Sequence, residues 1–159
     1  MEFAFTEEQD AIRDTARRFA NDRLAPDFQQ RELDGKIGRG LLTEMGALGL
    51  IGVDLPEEYG GLGLDCVTSG IVVEEIAAAD LSVSYIQLIG SLNGRLLSDH
   101  ATPEFAARAI GAICSGRSIT ALGLTEPRGG SDAASMILRA RRDGEDYVLN
   151  GEKTSISFS

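Results

Sequence analysis

The run from Gly123 to Ser135 concentrates groups that could hold a ligand rich in hydrogen-bond acceptors. It reads Gly-Leu-Thr-Glu-Pro-Arg-Gly-Gly-Ser-Asp-Ala-Ala-Ser. Its glycines let the backbone approach a ligand closely and expose N–H groups. Thr125 and Ser131 add hydroxyls that donate hydrogen bonds without carrying charge. The segment therefore suits a ligand with carbonyl, ring-nitrogen and phosphate acceptors, and it does not suit a metal because no His or Cys lies nearby.

Residues 123–135 resemble the flavin-binding signature of the acyl-CoA dehydrogenases, and most of the remaining chain resembles the same family. The resemblance covers the family's opening helix, its first connecting loop, a central helix and the approach to a second flavin-contacting strand, at Phe5–Gln9, Gly49–Asp65, Val73–Asp80 and Asn150–Lys153. From its sequence the chain is identified as a member of this family, and the resemblance implies FAD as the cofactor.

The resemblance also implies which residues contact the flavin. Thr125 and the backbone of Leu124 would donate to the pyrimidine side of the ring, and Ser157 to the hydride-accepting nitrogen. Ser131 would reach the pyrophosphate and also bind the CoA portion of the substrate. The implied cofactor-binding residues are Leu122, Gly123, Leu124, Thr125, Gly130, Ser131, Ser155, Ile156 and Ser157.

The second flavin segment departs from the family pattern. The usual form is Gly-x-Lys-x-Trp-Ile-Thr-Asn, whereas this chain has Gly-Glu-Lys-Thr-Ser-Ile-Ser-Phe from Gly151 onward. Ser155 cannot pack an indole against the flavin, which opens space beside the ring. Leu122 similarly stands where an aromatic residue is common. The variant resembles family members acting on cyclic or bulky acyl-CoAs, and it leaves open a flavin oxidase or monooxygenase of the same fold.

The activity implied by the resemblance is α,β-dehydrogenation of an acyl-CoA thioester to the 2-enoyl-CoA, with hydride transfer to FAD. An electron-transfer flavoprotein would accept the electrons, within fatty acid metabolism. The family's glutamate base lies well beyond position 159, so no catalytic residue is assigned in this chain. Glu126 is interpreted as support for its loop, and Glu74, Glu75 and Asp80 as solvated or capping carboxylates. A non-catalytic helical binding or assembly domain stays open as another reading.

Composition limits the partners and the compartment. The net charge of −10 argues against nucleic-acid binding, which depends on basic surfaces. No apolar run approaches the length of a membrane span, and the acidic N-terminus lacks the basic region of a signal peptide. Cys66 and Cys114 are expected to be reduced thiols, and the protein is expected to be cytoplasmic. The resemblance implies a homo-oligomer, dimer or tetramer, for the full-length protein.

The hydrophobic periodicity predicts an α+β fold that is mainly α. A helical bundle over residues 1–117 is expected to be followed by β structure over 118–159, and the resemblance implies that this is the incomplete start of a β-barrel domain. The chain is therefore expected to be an N-terminal fragment or a truncated product. A capping box at Thr6 opens a helix that Pro26 should end. Further helices are predicted near 41–50, at 66–79, at 81–96 and from 103, with a loop at 29–40. Strands are predicted at 118–124, 136–142, 147–150 and 153–158.

Burial follows from the same pattern. A stripe at helical spacing should lie in the core, and Phe105 should be buried on the last helix. His100, the only histidine, should be a solvated residue at a helix end. The stripe consists of Leu81, Tyr85, Leu88, Ile89, Leu92 and Leu96; its counterpart in the family lines one side of the acyl tunnel.

Overall fold

The computed structural model describes residues 4–158, and its contacts divide the chain into two compact units. The first unit ends at Thr120 and is helical, and the second begins at Ala121 and contains a two-stranded antiparallel sheet. The predicted fold class, α+β and mainly α, is confirmed.

Within residues 4–120 the first unit contains six α-helices. They are α1 (Glu7–Phe19), α2 (Phe28–Asp34), α3 (Arg39–Ala47), α4 (Cys66–Ala77), α5 (Leu81–His100) and α6 (Pro103–Cys114). Helix α4 packs against α1 on one side and α5 on the other, and α5 also packs against α6. A connecting segment with one 3₁₀ turn, Glu57–Tyr59, joins α3 to α4.

The predicted capping box at the start of α1 is present. The Gln9 backbone N–H donates to Thr6 Oγ1 over 3.2 Å, and the Thr6 N–H donates to Gln9 Oε1 over 3.1 Å. Two of the unpaired N–H groups at the helix N-terminus are thereby satisfied.

The prediction that Pro26 ends the first helix and is followed by a loop is wrong. After α1 the chain makes a π-helical turn at Ala20–Leu24 and a 3₁₀ turn at Ala25–Asp27, and then continues into α2. Proline has no N–H to donate, but it fits the first turn of a helix, so Pro26 changes the type of helix here. The helix finally ends at Gly35, whose φ of 60° is left-handed.

The core lies between α1, α3, α4, α5 and α6. Its fully buried side chains include Leu24, Met45, Val53, Ile76 and Val83. Such burial contributes roughly 1.5–3 kcal/mol per large apolar side chain, relative to leaving that side chain in water.

The predicted burial of the apolar stripe on α5 is wrong for every member except Ile89, which is half-buried. Leu81 is 60 % exposed and Leu88 is 48 % exposed, and Tyr85, Leu92 and Leu96 lie on the same open side. The helix packs instead through Val83 and Ile86 together with small and polar residues, and the small ones permit a close approach. A Cβ atom at Gly90 would lie 3.2 Å from Ile113 Cγ2, and one at Gly94 would overlap Leu55.

On helix α6, one residue that was predicted to be buried is exposed. Phe105 is 45 % exposed, where burial was predicted, and its ring is covered on one face by the Arg108 guanidinium. Ile110 and Ile113 are buried as predicted. His100 is the last residue of α5 and is exposed, as expected.

Carboxylates at the ends and faces of the helices join distant segments. Asp80 is buried, and its Oδ1 accepts from the Val83 N–H over 3.1 Å, so it caps α5 as predicted. Its Oδ2 accepts from Arg31 Nε over 2.8 Å, which ties α2 to the start of α5. Arg31 also donates to the carbonyl of Leu24.

Glu75 was expected to be solvated, but its side chain is 13 % exposed and holds two arginines of α1. It accepts from Arg13 Nε over 2.8 Å and from Arg17 over 2.7 Å and 2.9 Å. Hydrogen bonding to Arg17 is the largest of the effects that lower the pKa of this carboxyl. Glu74, the neighbouring carboxylate, is exposed as predicted.

The second unit contains a single hairpin among residues 121–158. Strands β1 (Arg139–Asp143) and β2 (Asp146–Asn150) pair in antiparallel register, with Asp143 opposite Asp146. Gly144, at φ 66°, supplies the left-handed turn residue. The strands predicted at 118–124 and 153–158 are not formed. The backbone N–H of Ser118 donates to Ala112 of α6 and that of Thr154 donates to Thr125, and neither bond is part of a strand ladder.

We predict that Asp80→Ala lowers the free energy of unfolding by about 3 kcal/mol. The substitution removes a helix cap and leaves Arg31 unpaired in a mostly buried position. Chemical denaturation checks this, with Asp99→Ala, an exposed change on the same helix, expected to stay within about 0.5 kcal/mol. A loss below 1 kcal/mol for Asp80→Ala would show that the pair is not structural.

Candidate flavin site

The structure brings together the two segments that carry the predicted flavin contacts. The Thr154 backbone N–H donates to the Thr125 carbonyl over 2.8 Å. The Lys153 Nζ donates to the Leu124 carbonyl over 3.0 Å. The segments 122–131 and 153–157 therefore lie side by side within the second unit, although 21 residues or more separate them in sequence.

Glu126 holds this arrangement in place. Its carboxylate accepts from the N–H groups of Ile137 (2.8 Å) and Leu138 (2.9 Å), and from Lys153 Nζ (3.0 Å). These hydrogen bonds lower the pKa of Glu126 to about 2, and the bond from the Ile137 N–H makes the largest contribution. The charged form of Glu126 accepts from all three donors, so this residue supports its loop, as interpreted from the sequence. For the same reason its carboxylate is poorly suited to take up a proton near neutral pH.

A tight turn follows Glu126. The Glu126 backbone N–H donates to the Gly129 carbonyl over 3.1 Å, and the Gly129 N–H donates to the Glu126 carbonyl over 3.0 Å. Next in the chain, Gly130 lies against Thr125: a Cβ atom at Gly130 would be 2.8 Å from Thr125 Oγ1. A side chain at Gly130 would therefore push the Thr125 hydroxyl from its position.

Several donors near the turn are not engaged by the protein. Within residues 4–158, no acceptor is paired with the backbone N–H groups of Leu124 and Thr125, or with the hydroxyls of Thr125, Ser131 and Ser157. The nearest buried carboxylate, Glu126, is already satisfied by its own three donors. This set of free, uncharged donors fits a ligand edged with carbonyls, ring nitrogens and phosphate oxygens. The residues present therefore fit FAD, and their contacts with it stay a prediction.

The remaining predicted residues lie around these donors. Ser155 is exposed and has a left-handed φ of 55°, where a bulky residue would be strained. Ile156 and Leu122 are half-buried. A Cβ atom at Gly123 would lie 3.6 Å from Ile156 Cδ1, so the two segments pack at this point as well.

Lys153 is the residue that sequence reasoning missed. It was noted only as part of a family-like segment, yet it bonds Leu124 and Glu126 and joins the two halves of the site. The one sequence signal was the pairing of a lysine in the second segment with an acidic residue in the first. Charge complementarity of that kind does not identify partners without the fold.

Neither a metal site nor a membrane span is present in the described part of the chain. Residues 4–158 contain no cluster of three His, Cys, Asp or Glu side chains able to hold a metal ion. No helix in that range is both long and apolar enough to cross a membrane.

Comparison with known proteins identifies the family. The profile described as acyl-CoA dehydrogenase, N-terminal domain, matches residues 6–117. The chain therefore belongs to the acyl-CoA dehydrogenase family, and the resemblance noted in its sequence is confirmed.

Individual relatives agree with this. The chain is 35% identical to the probable acyl-CoA dehydrogenase YngJ of Bacillus subtilis, over 99% of this chain and 42% of that protein. It is 30% identical to a glutaryl-CoA dehydrogenase from Mycobacterium smegmatis solved in complex with FADH2, with a TM-score of 0.87 over 96% of this chain and 39% of that one. A structure described as the electron transferring flavoprotein of Acidaminococcus fermentans matches at 35% identity and a TM-score of 0.86, over 98% and 41% of the two chains. The chain thus spans about two fifths of the length of these relatives.

We predict that the amide resonances of Ile137 and Leu138 titrate with an apparent pKa of about 2, far below the ordinary value of 4.5. Because the folded pKa is depressed, the stabilisation from the Glu126 carboxylate is complete above about pH 4.5 and disappears as the pH falls toward 2. NMR titration of the amide shifts measures this directly.

The matched variant is Glu126→Gln, which keeps the shape of the side chain and removes its charge. It should abolish the titration at both amides and remove the ion pair with Lys153. An unchanged titration in the variant, or a midpoint near 4.5 in the wild type, would contradict the assignment.

Proposed function

We propose that the protein containing this chain is an FAD-dependent acyl-CoA dehydrogenase that converts an acyl-CoA thioester to the 2-enoyl-CoA. The observation that carries the proposal is the set of unengaged donors on two segments clamped by Glu126 and Lys153. Membership of the family supports it, as does the similarity to a glutaryl-CoA dehydrogenase solved with FADH2.

The bound flavin would supply the redox chemistry by accepting a hydride from the β carbon. This chain's residues would orient the flavin and stabilise negative charge on its reduced ring. The hydroxyl of Thr125, with the N–H groups of Leu124 and Thr125, would donate to the pyrimidine edge. Ser157 would donate to the hydride-accepting nitrogen, and Ser131 to the pyrophosphate and the CoA portion.

The partners follow from the same proposal. The substrate would be an acyl-CoA, and the likeness to a chain described as an electron transferring flavoprotein supports a flavoprotein as electron acceptor. We further propose that the full-length protein is a homo-oligomer, either a dimer or a tetramer, and that it is located in the cytoplasm.

A second candidate function rests on Ser155. Its small side chain is exposed, in the position of the second segment where the family pattern has tryptophan. Open space beside the flavin would admit oxygen, so an oxidase or monooxygenase of the same fold is the competing function.

We expect an acyl-CoA to bleach the flavin absorbance of the full-length protein under anaerobic conditions and to yield the enoyl-CoA in equal amount. Reoxidation should require an electron-transfer flavoprotein or an artificial acceptor. Stoichiometric oxygen consumption with an oxygenated or peroxide product would favour the oxidase or monooxygenase instead. A protein that neither retains FAD nor is reduced by any acyl-CoA would support the non-catalytic reading.

We predict that Gly130→Ala weakens FAD binding by roughly tenfold, because the added methyl group displaces the Thr125 hydroxyl and removes one donor. Fluorescence titration of the apoprotein with FAD measures the change. The matched control is Gly144→Asn in the hairpin turn, where a Cβ atom meets nothing within 4 Å and asparagine tolerates the left-handed conformation. Equal affinities for both variants would remove Thr125 from the site.

A further inference from the structure

The side chain of Met136 is a third acceptor for Lys153. Its Sδ lies 3.2 Å from Lys153 Nζ, which also donates to the Leu124 carbonyl and to Glu126 Oε1, each over 3.0 Å. An ammonium group has three N–H donors, so each donor of Lys153 has one partner within the second unit. Thioether sulfur is the weakest of the three acceptors. The arrangement is therefore complete, and the sulfur of Met136 is its least stable member.

The Lys153 ammonium also controls the orientation of one peptide group in the first flavin segment. The Leu124 carbonyl and the Thr125 N–H belong to the same planar peptide group. Because Lys153 binds that carbonyl, it fixes the direction of the Thr125 N–H, which no acceptor within residues 4–158 engages. Displacing the ammonium from the Leu124 carbonyl would therefore allow this peptide group to turn.

Met136 is open to reagents in solution, although its partner Lys153 is mostly buried. Met136 is 46 % exposed, whereas the Lys153 side chain is 18 % exposed. Met45, the other methionine among the described residues, is fully buried in the core of the helical unit. A small polar oxidant therefore reaches the sulfur of Met136 far more readily than that of Met45.

We infer that Met136 is an oxidative modification site, and that its conversion to methionine sulfoxide by hydrogen peroxide weakens the binding of FAD. In this reaction the sulfur atom gives up two electrons and gains one oxygen atom. The O–O bond of the peroxide breaks, and its second oxygen takes both hydrogens and leaves as water. The part of the inference that concerns FAD rests on the proposed function.

The sulfoxide changes the acceptor at Lys153 in both strength and position. Its sulfur carries partial positive charge and no longer accepts from the ammonium, whereas its oxygen is a polar acceptor that the thioether lacks. That oxygen cannot occupy the place of the sulfur, which already lies 3.2 Å from Lys153 Nζ. The ammonium must either follow the oxygen or lose its third partner. Both changes move Lys153 from its position between Leu124 and Glu126.

The test treats the full-length apoprotein with dilute hydrogen peroxide and locates the added oxygen by peptide mass spectrometry. Met136 should be oxidised faster than Met45 by roughly tenfold or more. Fluorescence titration should then show that the Kd for FAD has risen roughly tenfold, because one donor to the flavin is no longer held in place. Methionine sulfoxide reductase should restore the affinity with a dithiol, which becomes a disulfide as the sulfoxide oxygen leaves as water.

Two variants at position 136 separate this site from other oxidisable groups. Met136→Leu has a similar volume but no sulfur, so peroxide should not change whatever affinity for FAD this variant has. Cys66 is exposed and remains in that variant, which therefore controls for oxidation of the thiol. Met136→Gln places a carbonyl oxygen near the end of the side chain, and it should bind FAD roughly tenfold more weakly than the wild type without peroxide.

Hydrogen exchange provides a measurement that does not require the flavin. The Thr154 N–H donates to the Thr125 carbonyl over 2.8 Å, next to the peptide group that Lys153 holds. In the FAD-free protein, oxidation of Met136 should accelerate exchange of this amide, because the two segments separate more often. Peroxide should have no such effect in Met136→Leu, and the amides of α4 should exchange at the same rate throughout.

The outcomes distinguish this inference from the proposed function. If the untreated protein does not bind FAD, the proposed function fails together with the FAD part of the inference, and hydrogen exchange then decides whether oxidation loosens the two segments. If Met136 is oxidised no faster than Met45, or if its oxidation changes neither hydrogen exchange nor FAD affinity, the inference is overturned while flavin binding stands. Equal losses of affinity in the wild type and Met136→Leu would also overturn it, since oxidation elsewhere would then be the cause.

Discussion

The candidate site depends on one buried carboxylate. Glu126 accepts hydrogen bonds from two consecutive backbone N–H groups, of Ile137 and Leu138, and from Lys153. Because Lys153 also bonds the Leu124 carbonyl, the charge of Glu126 joins the turn, the segment before the hairpin and the segment after it. Removing that side chain would leave three donors without their acceptor, in a unit whose hairpin strands are exposed along their whole length.

The helical unit is organised differently, through a large apolar core with charged pairs at its edges. Asp80 with Arg31, and Glu75 with Arg13 and Arg17, connect helices that the core already brings together. Its polar interior is centred on Gln87, which is hydrogen-bonded to Gly52, Ser69 and Ser91, whereas the buried amide nitrogen of Asn93 has no partner among the described residues. The two units are thus stabilised differently, the first by an apolar core and the second by one hydrogen-bonded carboxylate.

Much of the fold was predictable because its signals are local. The capping box at Thr6, the Asp80 cap of α5 and the Gly144 hairpin turn each depend on residues within a few positions of one another. The errors fall where packing outweighs local pattern. The large apolar residues on α5 indicated a core face, but Gly90 and Gly94 allow closer helix packing and placed Leu88 on the open side.

The sequence by itself determined the family, the fold class and the two segments predicted to hold the flavin, because a long run with few free positions is specific even without coordinates. Only the tertiary structure decided that Lys153 unites those segments with Glu126, and that Gly130 leaves room for the Thr125 hydroxyl. The physical reason is that these relations join atoms 5 to 27 residues apart or concern empty space. Neither leaves a periodic or local trace in the order of the amino acids.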